Sequence, residues 1–369
     1  MQRDTDGFGQ RRRWFCKGLV AQAALLGPLA ACGELAGSGA GGPRGAGAAK
    51  AALLLPLTGA NAAIGKNMAN AASLAVLGRD AAAQPPVYDT GDTAEGAAAA
   101  AAAALARGAK LLMGPLRADQ TPAVLAVAGE VPVVTFSNDE TLADAGAFVM
   151  GVTPAQSVSA MFSYARAQGL ARIAIVAKPG ALADATEAAA TRLAAVGGVD
   201  LVAVLRRDPQ SGGLLAALQA AAGGLPQAVF LPDGGTALAG FAAGLAGSGV
   251  QMLGSVQWGV EDVATNPDLT GSWFAAPPPD LFLPFSDRFQ AGFGEVPGIV
   301  AALGHDAALL AMGLGDAGML NRKGLTRAAG FTGVLGPFGF QPDGRCQRSL
   351  SVLAIEAGQI VALAEVAGT

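Results

Sequence analysis

The sequence predicts an α/β protein with two lobes, each built on a mostly parallel sheet with helices on both faces. Three observations support this prediction. Short apolar runs alternate with longer helical stretches from residue 50 onward, a pattern typical of βαβ units. The chain has 369 residues, which is enough for two domains. Its last third returns to helices and then to strands, as expected of a chain that crosses between lobes more than once.

The part of the chain up to residue 150 alternates regularly. The predicted strands are 51–55, 87–88, 110–113, 132–136 and 148–150, and the predicted helices are 61–77, 92–107 and 121–129. Helix 61–77 places Ile64, Met68, Ala71, Leu74 and Leu77 on one side, which is the spacing of a helix with one buried face. Eight alanines at 97–104 give the second helix a high helix propensity.

The alternation continues after residue 150 and then changes. The predicted strands are 172–177, 201–205, 228–231 and 252–254, and the predicted helices are 155–168, 181–196, 214–222 and 236–245. Pro277-Pro278-Pro279 is a break, after which helices are predicted at 282–293 and 299–315. Strands at 338–340, 350–355 and 360–364, separated by turn residues at Asp343-Gly344 and Gly358, are predicted to be antiparallel.

The first 49 residues are predicted to export and anchor the protein. Arg11-Arg12-Arg13 precedes an uncharged, mostly apolar stretch at 18–31, which has the length of a signal peptide. Ala30-Ala31-Cys32 resembles the bacterial lipobox, which implies that residues 1–31 are removed and that Cys32 carries a lipid. Residues 32–49, rich in Gly, Ala and Ser, are then a flexible tether. The predicted location is the periplasm, with the membrane contacted through the lipid alone; Sec and twin-arginine export both stay open.

Charge and cysteine content exclude several classes of partner. The net charge is −4, and it becomes −7 without residues 1–31, which hold five basic and two acidic side chains. An acidic chain without a basic stripe argues against nucleic acid, whose binding depends on neutralising phosphates. If Cys16 is cleaved off and Cys32 is lipidated, Cys346 stands alone. We therefore expect no intramolecular disulfide and no cysteine-based metal site.

The sequence offers little catalytic chemistry. It contains one histidine, His305, and neither a G-x-S-x-G nor an H-E-x-x-H motif. Residues 59–67 imitate a phosphate-binding loop, but the spacing is one residue too long and Asn67 replaces the required Ser or Thr. The Gly-rich segment 37–42 follows no strand and opens no helix, so it does not predict dinucleotide binding. We therefore expect a non-catalytic protein without a cofactor.

Candidate ligand-binding residues follow from strand ends, because ligands of open parallel sheets bind beyond the carboxyl ends of the strands. The loops at these ends contain Thr58, Gly59, Arg117, Ser137, Asn138, Thr153, Asp233 and Trp258. Ser137 and Thr153 offer hydroxyl groups, and Asp233 suits an ammonium group. Trp258 is either core packing or an aromatic wall for a ligand. The alternative interpretation of these loops is that their polar residues only cap helices and turns.

An ordered set of motifs resembles the leucine-binding type of periplasmic binding protein, also called type I. The motifs are Leu55-Pro56-Leu57-Thr58-Gly59, Asp89-Thr90-Gly91, Gly114-Pro115-Leu116, residues 131–139, Gly151-Val152-Thr153-Pro154, residues 273–277, Phe331-Thr332-Gly333 and residues 338–344. They cover nearly all of 50–369 and are most similar to the branch named penicillin-binding protein activators. The resemblance implies a first lobe of 50–150 plus 277–332 and a second lobe of 151–276 plus 333–369.

The resemblance also bears on single residues. The activator branch usually has tyrosine where His305 stands, which implies a rim residue that faces the cleft. Relatives that bind amino acids usually place Ser or Thr after the third strand to hold the ligand carboxylate, whereas this chain has Arg117-Ala118-Asp119. Asp119 and Asp139 would repel a carboxylate, and Arg117 would compensate for them.

Two functions follow as expectations. The first is a receptor that captures a small polar ligand, such as an amino acid or a peptide, in the cleft between the lobes and delivers it to an ABC permease. The second is an activator that docks on a penicillin-binding protein and regulates peptidoglycan synthesis. The loop at Arg117 favours the second function, whereas Ser137, Thr153, Asp233 and Trp258 favour the first.

Overall fold

A computed structural model describes residues 51–79, 84–259 and 263–368. The predicted signal peptide, the predicted lipidation site at Cys32 and the predicted tether lie outside the described residues. The strands are β1 (Ala51–Leu55), β2 (Val87–Asp89), β3 (Leu111–Met113), β4 (Val133–Thr135), β5 (Phe148–Val149), β6 (Arg172–Ala177), β7 (Asp200–Arg206), β8 (Ala228–Leu231), β9 (Gln251–Gly254), β10 (Trp273–Ala276), β11 (Phe331–Gly333), β12 (Gly336–Phe340), β13 (Cys346–Arg348), β14 (Leu350–Glu356) and β15 (Gln359–Val366).

Ten α-helices lie within the described ranges. They are α1 (Ala62–Ala75), α2 (Ala94–Ala106), α3 (Thr121–Ala128), α4 (Pro154–Ala167), α5 (Ala181–Gly197), α6 (Leu214–Ala222), α7 (Gly235–Leu245), α8 (Pro279–Phe293), α9 (Ile299–Asp316) and α10 (Arg322–Leu325). Strands alternate with α-helices up to β9, except between β4 and β5, which are joined by a short 3₁₀ segment at Glu140–Ala143.

Two large sheets organise the chain. The first has the order β2-β1-β3-β4-β5, and all of its pairings are parallel. The second has the order β15-β14-β10-β9-β8-β6-β7 and is parallel except at β14 and β15, which pair antiparallel. Every residue of β1 is buried, as expected of a parallel strand covered on both faces. The predicted fold class is confirmed, with its antiparallel C-terminal strands.

A small antiparallel sheet, β11-β12-β13, lies beside the first large sheet. Phe340 of β12 packs edge-on against Phe148 of β5, with ring centroids 5.5 Å apart. The Val149 N–H donates to the Gly344 carbonyl at 2.9 Å. The predicted lobe ranges stay a prediction, but this packing leads us to propose that residues 333–348 belong to the first lobe and not to the second.

Helix α9 is a buried helix that packs against α1. It is long and apolar enough to cross a membrane by composition, yet two thirds of it is buried inside the protein. It packs on α1 at Gly304, where a side chain would overlap the backbone of Met68. The close approach of the two helices therefore depends on glycine at this position. The apolar sequence of α9 is explained by this burial.

Three connections join the two large sheets, and a buried ion pair lies among them. The chain crosses after β5, after β10 and between β13 and β14. Asp306 of α9 accepts hydrogen bonds from the N–H groups of Val334 and Leu335, at 2.7 and 3.2 Å. Arg348 lies 3.8 Å from Asp306 and donates to the Met150 carbonyl at 3.2 Å. The pair thus links α9 to the chain at the first and third connections.

Candidate ligand-binding cleft

A cavity of about 1120 Å³ opens between the two large sheets. Its wall on the side of the first sheet includes loops that follow β3, β4 and β5. Its wall on the side of the second sheet comes from the loop after β9 and from β10, β14 and β15. The lining residues are 116–119, 136–138, 152, 256–257, 259, 274–277, 279, 282–283, 286, 296–300, 303, 353, 360 and 362. This is the position where open parallel sheets bind ligands.

Arg117 lies in this cavity wall and forms an ion pair with Asp119. Its Nε and Nη2 groups donate to the two carboxylate oxygens of Asp119 at 3.0 and 2.9 Å. These hydrogen bonds lower the pKa of Asp119 and raise the pKa of Arg117. Both side chains are about half exposed, so water screens the attraction between the two charges and the pair is weak. A ligand can therefore separate the two charges at small cost.

Ser137 and Asn138 also line the cavity, as predicted from the end of β4. The Ser137 hydroxyl oxygen accepts the N–H of Asp139 at 3.1 Å, so it also stabilises the turn. The Thr135 hydroxyl, two residues before Ser137, donates to the Pro115 carbonyl and lies 3.0 Å from the Thr121 hydroxyl. These buried bonds tie the loop after β3 to the loop after β4, which fixes Arg117 and Ser137 on one wall.

Thr153 lies outside the large cavity, as the N-cap of α4. Its hydroxyl oxygen accepts the N–H of Gln156, whose side-chain oxygen accepts the N–H of Thr153. This reciprocal arrangement is a capping box. Gln156 also donates to the Cys346 carbonyl at 2.7 Å, which connects the start of α4 to β13. The cap interpretation therefore accounts for Thr153.

Thr58 and Gly59 likewise lie outside the cavity lining and form a turn with Asp89. The Thr58 hydroxyl donates to Asp89 at 2.7 Å, and the N–H groups of Leu57, Thr58 and Gly91 donate to the same carboxylate. Burial raises the pKa of Asp89, but these four hydrogen bonds outweigh it, so the pKa lies below its ordinary value. The structure therefore gives Thr58 a role in the turn.

Asp233 is half-buried at the end of β8, outside the cavity lining. Its carboxylate accepts the N–H of Lys178 at 2.9 Å. Burial raises its pKa above the ordinary value, and the hydrogen bond from Lys178 acts in the opposite direction. This carboxylate caps the end of β6, since Lys178 directly follows that strand.

The prediction that Trp258 forms a wall of the cleft is corrected by the structure. Only 1% of Trp258 is exposed. Its ring stacks on Phe274 with centroids 5.7 Å apart, and its Nε1–H donates to the Leu231 carbonyl at 2.9 Å. Glycine at 254 leaves room for the ring, because a side chain there would overlap it. Trp258 is thus part of the core that packs on the second large sheet.

His305 is not at the rim of the cleft either. It is buried in α9, with its ring edge-on to Phe285 at 5.1 Å and its Nδ1 3.4 Å from Asp306. It therefore belongs to the core around the buried ion pair. Within the described ranges, no group of three or more His, Cys, Asp or Glu side chains is placed to hold a metal ion.

The apolar part of the cavity wall was missed by the sequence analysis. It comes from α8 and the α8–α9 connection on one side and from β15 on the other, with Phe282, Leu283, Val296, Ile299, Val300, Ile360 and Ala362. The available signal was the apolar run 281–285 of α8, which is too continuous for a helix with one buried face. Nothing in the sequence indicated that β15, some 70 residues later, faces this helix.

Fold and cleft together define a two-lobed α/β binding protein of the periplasmic type. The chain matches the periplasmic binding protein family over residues 48–359 and belongs to this family. No curated protein matches the chain.

Solved structures share the fold at low sequence identity. A branched-chain amino acid ABC transporter protein from Rhodospirillum rubrum is 21% identical, with 85% of this chain and 99% of that chain covered and a TM-score of 0.73. The C-domain of LpoA from Haemophilus influenzae, a regulator of PBP1A, is 18% identical, with coverage of 85% and 99% and a TM-score of 0.66. An ABC transporter solute-binding protein from R. palustris in complex with benzoate is 19% identical, with coverage of 87% and 97% and a TM-score of 0.60.

Proposed function

We propose that this chain is a non-catalytic solute receptor that captures a small ligand in the cleft and presents it to an ABC permease. The observation that carries the proposal is the cavity of about 1120 Å³ with walls from both large sheets. A site of this volume is large enough to enclose a whole small molecule. Arg117, Ser137 and Asn138 are the polar residues we assign to ligand recognition. No cofactor takes part.

Similar solved structures support this assignment. They include receptors of ABC transporters, one of them in complex with benzoate and another in complex with isoleucine. These proteins bind small molecules that carry a carboxylate, and Arg117 provides a cation for such a group in our proposed site. Release of the Asp119 ion pair would make its guanidinium available.

A thermal-shift screen tests the receptor function. The soluble Cys32→Ser protein would be mixed with amino acids, short peptides, aromatic acids and aliphatic acids. A true ligand at a hundred times its dissociation constant stabilises the folded state by about 2.7 kcal/mol. We expect Arg117→Ala to weaken this effect and Arg107→Ala, an exposed arginine outside the cavity lining, to leave it unchanged. Absence of any shift across the screen contradicts the receptor function.

The location is proposed as the periplasmic side of a bacterial membrane, with a lipid on Cys32 as the anchor. Cell fractionation tests this directly, because a Cys32→Ser protein should move from the membrane to the soluble periplasmic fraction. A variant that stays with the membrane as completely as the wild type contradicts the anchor.

A second candidate function is regulation of a peptidoglycan synthase. It is supported by the similarity to the LpoA C-domain and by Arg117-Ala118-Asp119, which replaces the usual carboxylate-binding loop of amino-acid receptors. In this case the lobes act as a docking surface. Co-purification of the chain with a penicillin-binding protein, together with a silent ligand screen, would establish this function in place of the first.

A further inference from the structure

We propose that the ligand is an elongated amphipath, with a compact polar head at Arg117 and an apolar tail longer than the side chain of a branched amino acid. This inference rests on the proposed receptor function and names the class of ligand. The tail would lie in an apolar trough, which we define by Phe282, Leu283, Val296, Ile299, Val300 and Ile360.

The exposure of the trough is the first observation. Leu283 is 54% exposed and Val296 is 50% exposed, and Val300 is exposed beside them. All three line the cavity, together with Ile360 and Ala362 of β15 on the opposite wall. Single exposed apolar residues need no explanation, but a cluster on two facing walls of one cavity indicates a surface that is covered by a partner. A ligand tail between these walls would shield the apolar side chains of both walls from water.

The size and continuity of the cavity are the second observation. At about 1120 Å³, the cavity is slightly larger than the range of about 300–1,000 Å³ that is usual for sites that bury drug-sized ligands. A free amino acid held at Arg117 would leave the trough empty. The trough and the polar loops line the same cavity, so one molecule is able to contact both.

The separation of polar and apolar residues is the third observation. Among the described lining residues, the charged side chains are Arg117 and Asp119, and Ser137, Asn138 and Gln257 add neutral polar groups. All five come from the loops after β3, β4 and β9. The side chains from α8, the α8–α9 connection and β15 are apolar, with Ser286 as the exception. This division matches a molecule with one polar end.

The experiment measures how affinity depends on tail length. Butanoate, hexanoate and octanoate form one series, and unbranched α-amino acids with the same tails form a second series that differs in the head. Burial of each methylene contributes about 0.8 kcal/mol, so Kd measured by calorimetry should fall about fourfold per added methylene in at least one series. The series that binds identifies the head as a carboxylate or a zwitterion.

A pair of matched variants tests the position of the tail. Leu283→Gln introduces a polar side chain in the trough, and Val196→Gln makes a comparable change at an 82% exposed position of α5 outside the cavity. We expect Leu283→Gln to reduce the gain from longer tails, so that its affinity falls further below that of the wild type as the tail lengthens. Val196→Gln should behave as the wild type.

The outcomes separate this inference from the receptor function. Tight binding of leucine or benzoate with no gain from longer tails would overturn the inference and leave the receptor function standing. A gain that Leu283→Gln does not reduce would also overturn the inference, because the tail would then lie elsewhere. Failure of every ligand, including the short ones, would contradict both.

Discussion

Replacement of Asp306 by asparagine tests the role of the buried ion pair at the connections between the sheets. Asp306 is 1% exposed and holds two backbone N–H groups as well as Arg348. Asparagine keeps one oxygen acceptor but places an NH2 group where the second N–H points. It also leaves the Arg348 guanidinium, which is itself buried, without its counter-charge.

The expected loss of stability is large. Removal of one partner of a buried ion pair costs about 3–5 kcal/mol, because the remaining charge is uncompensated. The Met150 carbonyl at 3.2 Å and the Phe338 ring, whose centroid lies 4.7 Å from the guanidinium carbon, offer Arg348 only partial compensation. The free energy of unfolding of Asp306→Asn should therefore fall by about 3–5 kcal/mol.

Urea unfolding of four proteins measures the effect. They are the wild type, Asp306→Asn, Arg348→Met and the double variant. Asp287→Asn, at an exposed position of α8, is the control, and its free energy of unfolding should lie within about 0.5 kcal/mol of the wild-type value. The double variant should lose less stability than the sum of the single variants, since neither charge is left alone. A loss below about 1 kcal/mol for Asp306→Asn, or strict additivity in the double variant, would refute this reasoning.

Three further predictions concern the core and a loop carboxylate. Trp258→Phe keeps the stacking on Phe274 but leaves the Leu231 carbonyl without its donor, and should cost about 1–3 kcal/mol in urea unfolding. Gly304→Ala should lower the free energy of unfolding by a similar amount, about 1–3 kcal/mol, because the new side chain pushes α9 off the backbone of Met68. An unchanged free energy of unfolding would show that the two helices separate freely. Asp233 has a pKa above the ordinary value of 3.8 in the folded state. The folded protein therefore binds this proton more tightly than the unfolded chain does. The free energy of unfolding should fall as the pH rises from 3.8 through the folded-state pKa. Thermal melts of Asp233→Asn across this range should lack that fall, whereas a parallel profile would contradict the assignment.

Much of the fold could be predicted from the sequence, because the apolar patterns of single strands and helices match the residues that are buried in the structure. The continuous apolar run of β1 is buried on both faces, and the apolar side of α1 packs on α9. Strand β10 was missed, since four residues before a proline run carry little signal of their own. Its place in the sheet is fixed by pairing with Leu253 and with Ser351–Ala354, and the latter lie about 80 residues away.

The site was predicted less completely, for a related reason. The rule of strand ends located Arg117, Ser137 and Asn138 on the cavity wall. The same rule applied to Trp258 failed, because Gly254 and Phe274 create a buried space that its ring fills. The apolar trough depends on β15 and α8 lining the same cavity, and that arrangement is a property of the whole fold. Local sequence therefore located the polar end of the cleft and not its apolar end.

The late position of α9 in the chain has a consequence for synthesis. The five strands of the first sheet are complete at residue 149, whereas the helix that covers α1 does not begin until Ile299. Until then Met68 and Ala71, both buried in the finished protein, lack the cover that α9 gives them. A chain that stops early exposes this apolar surface, which favours aggregation and degradation. Truncated products ending before residue 299 should therefore be cleared rather than accumulate as a stable half-molecule.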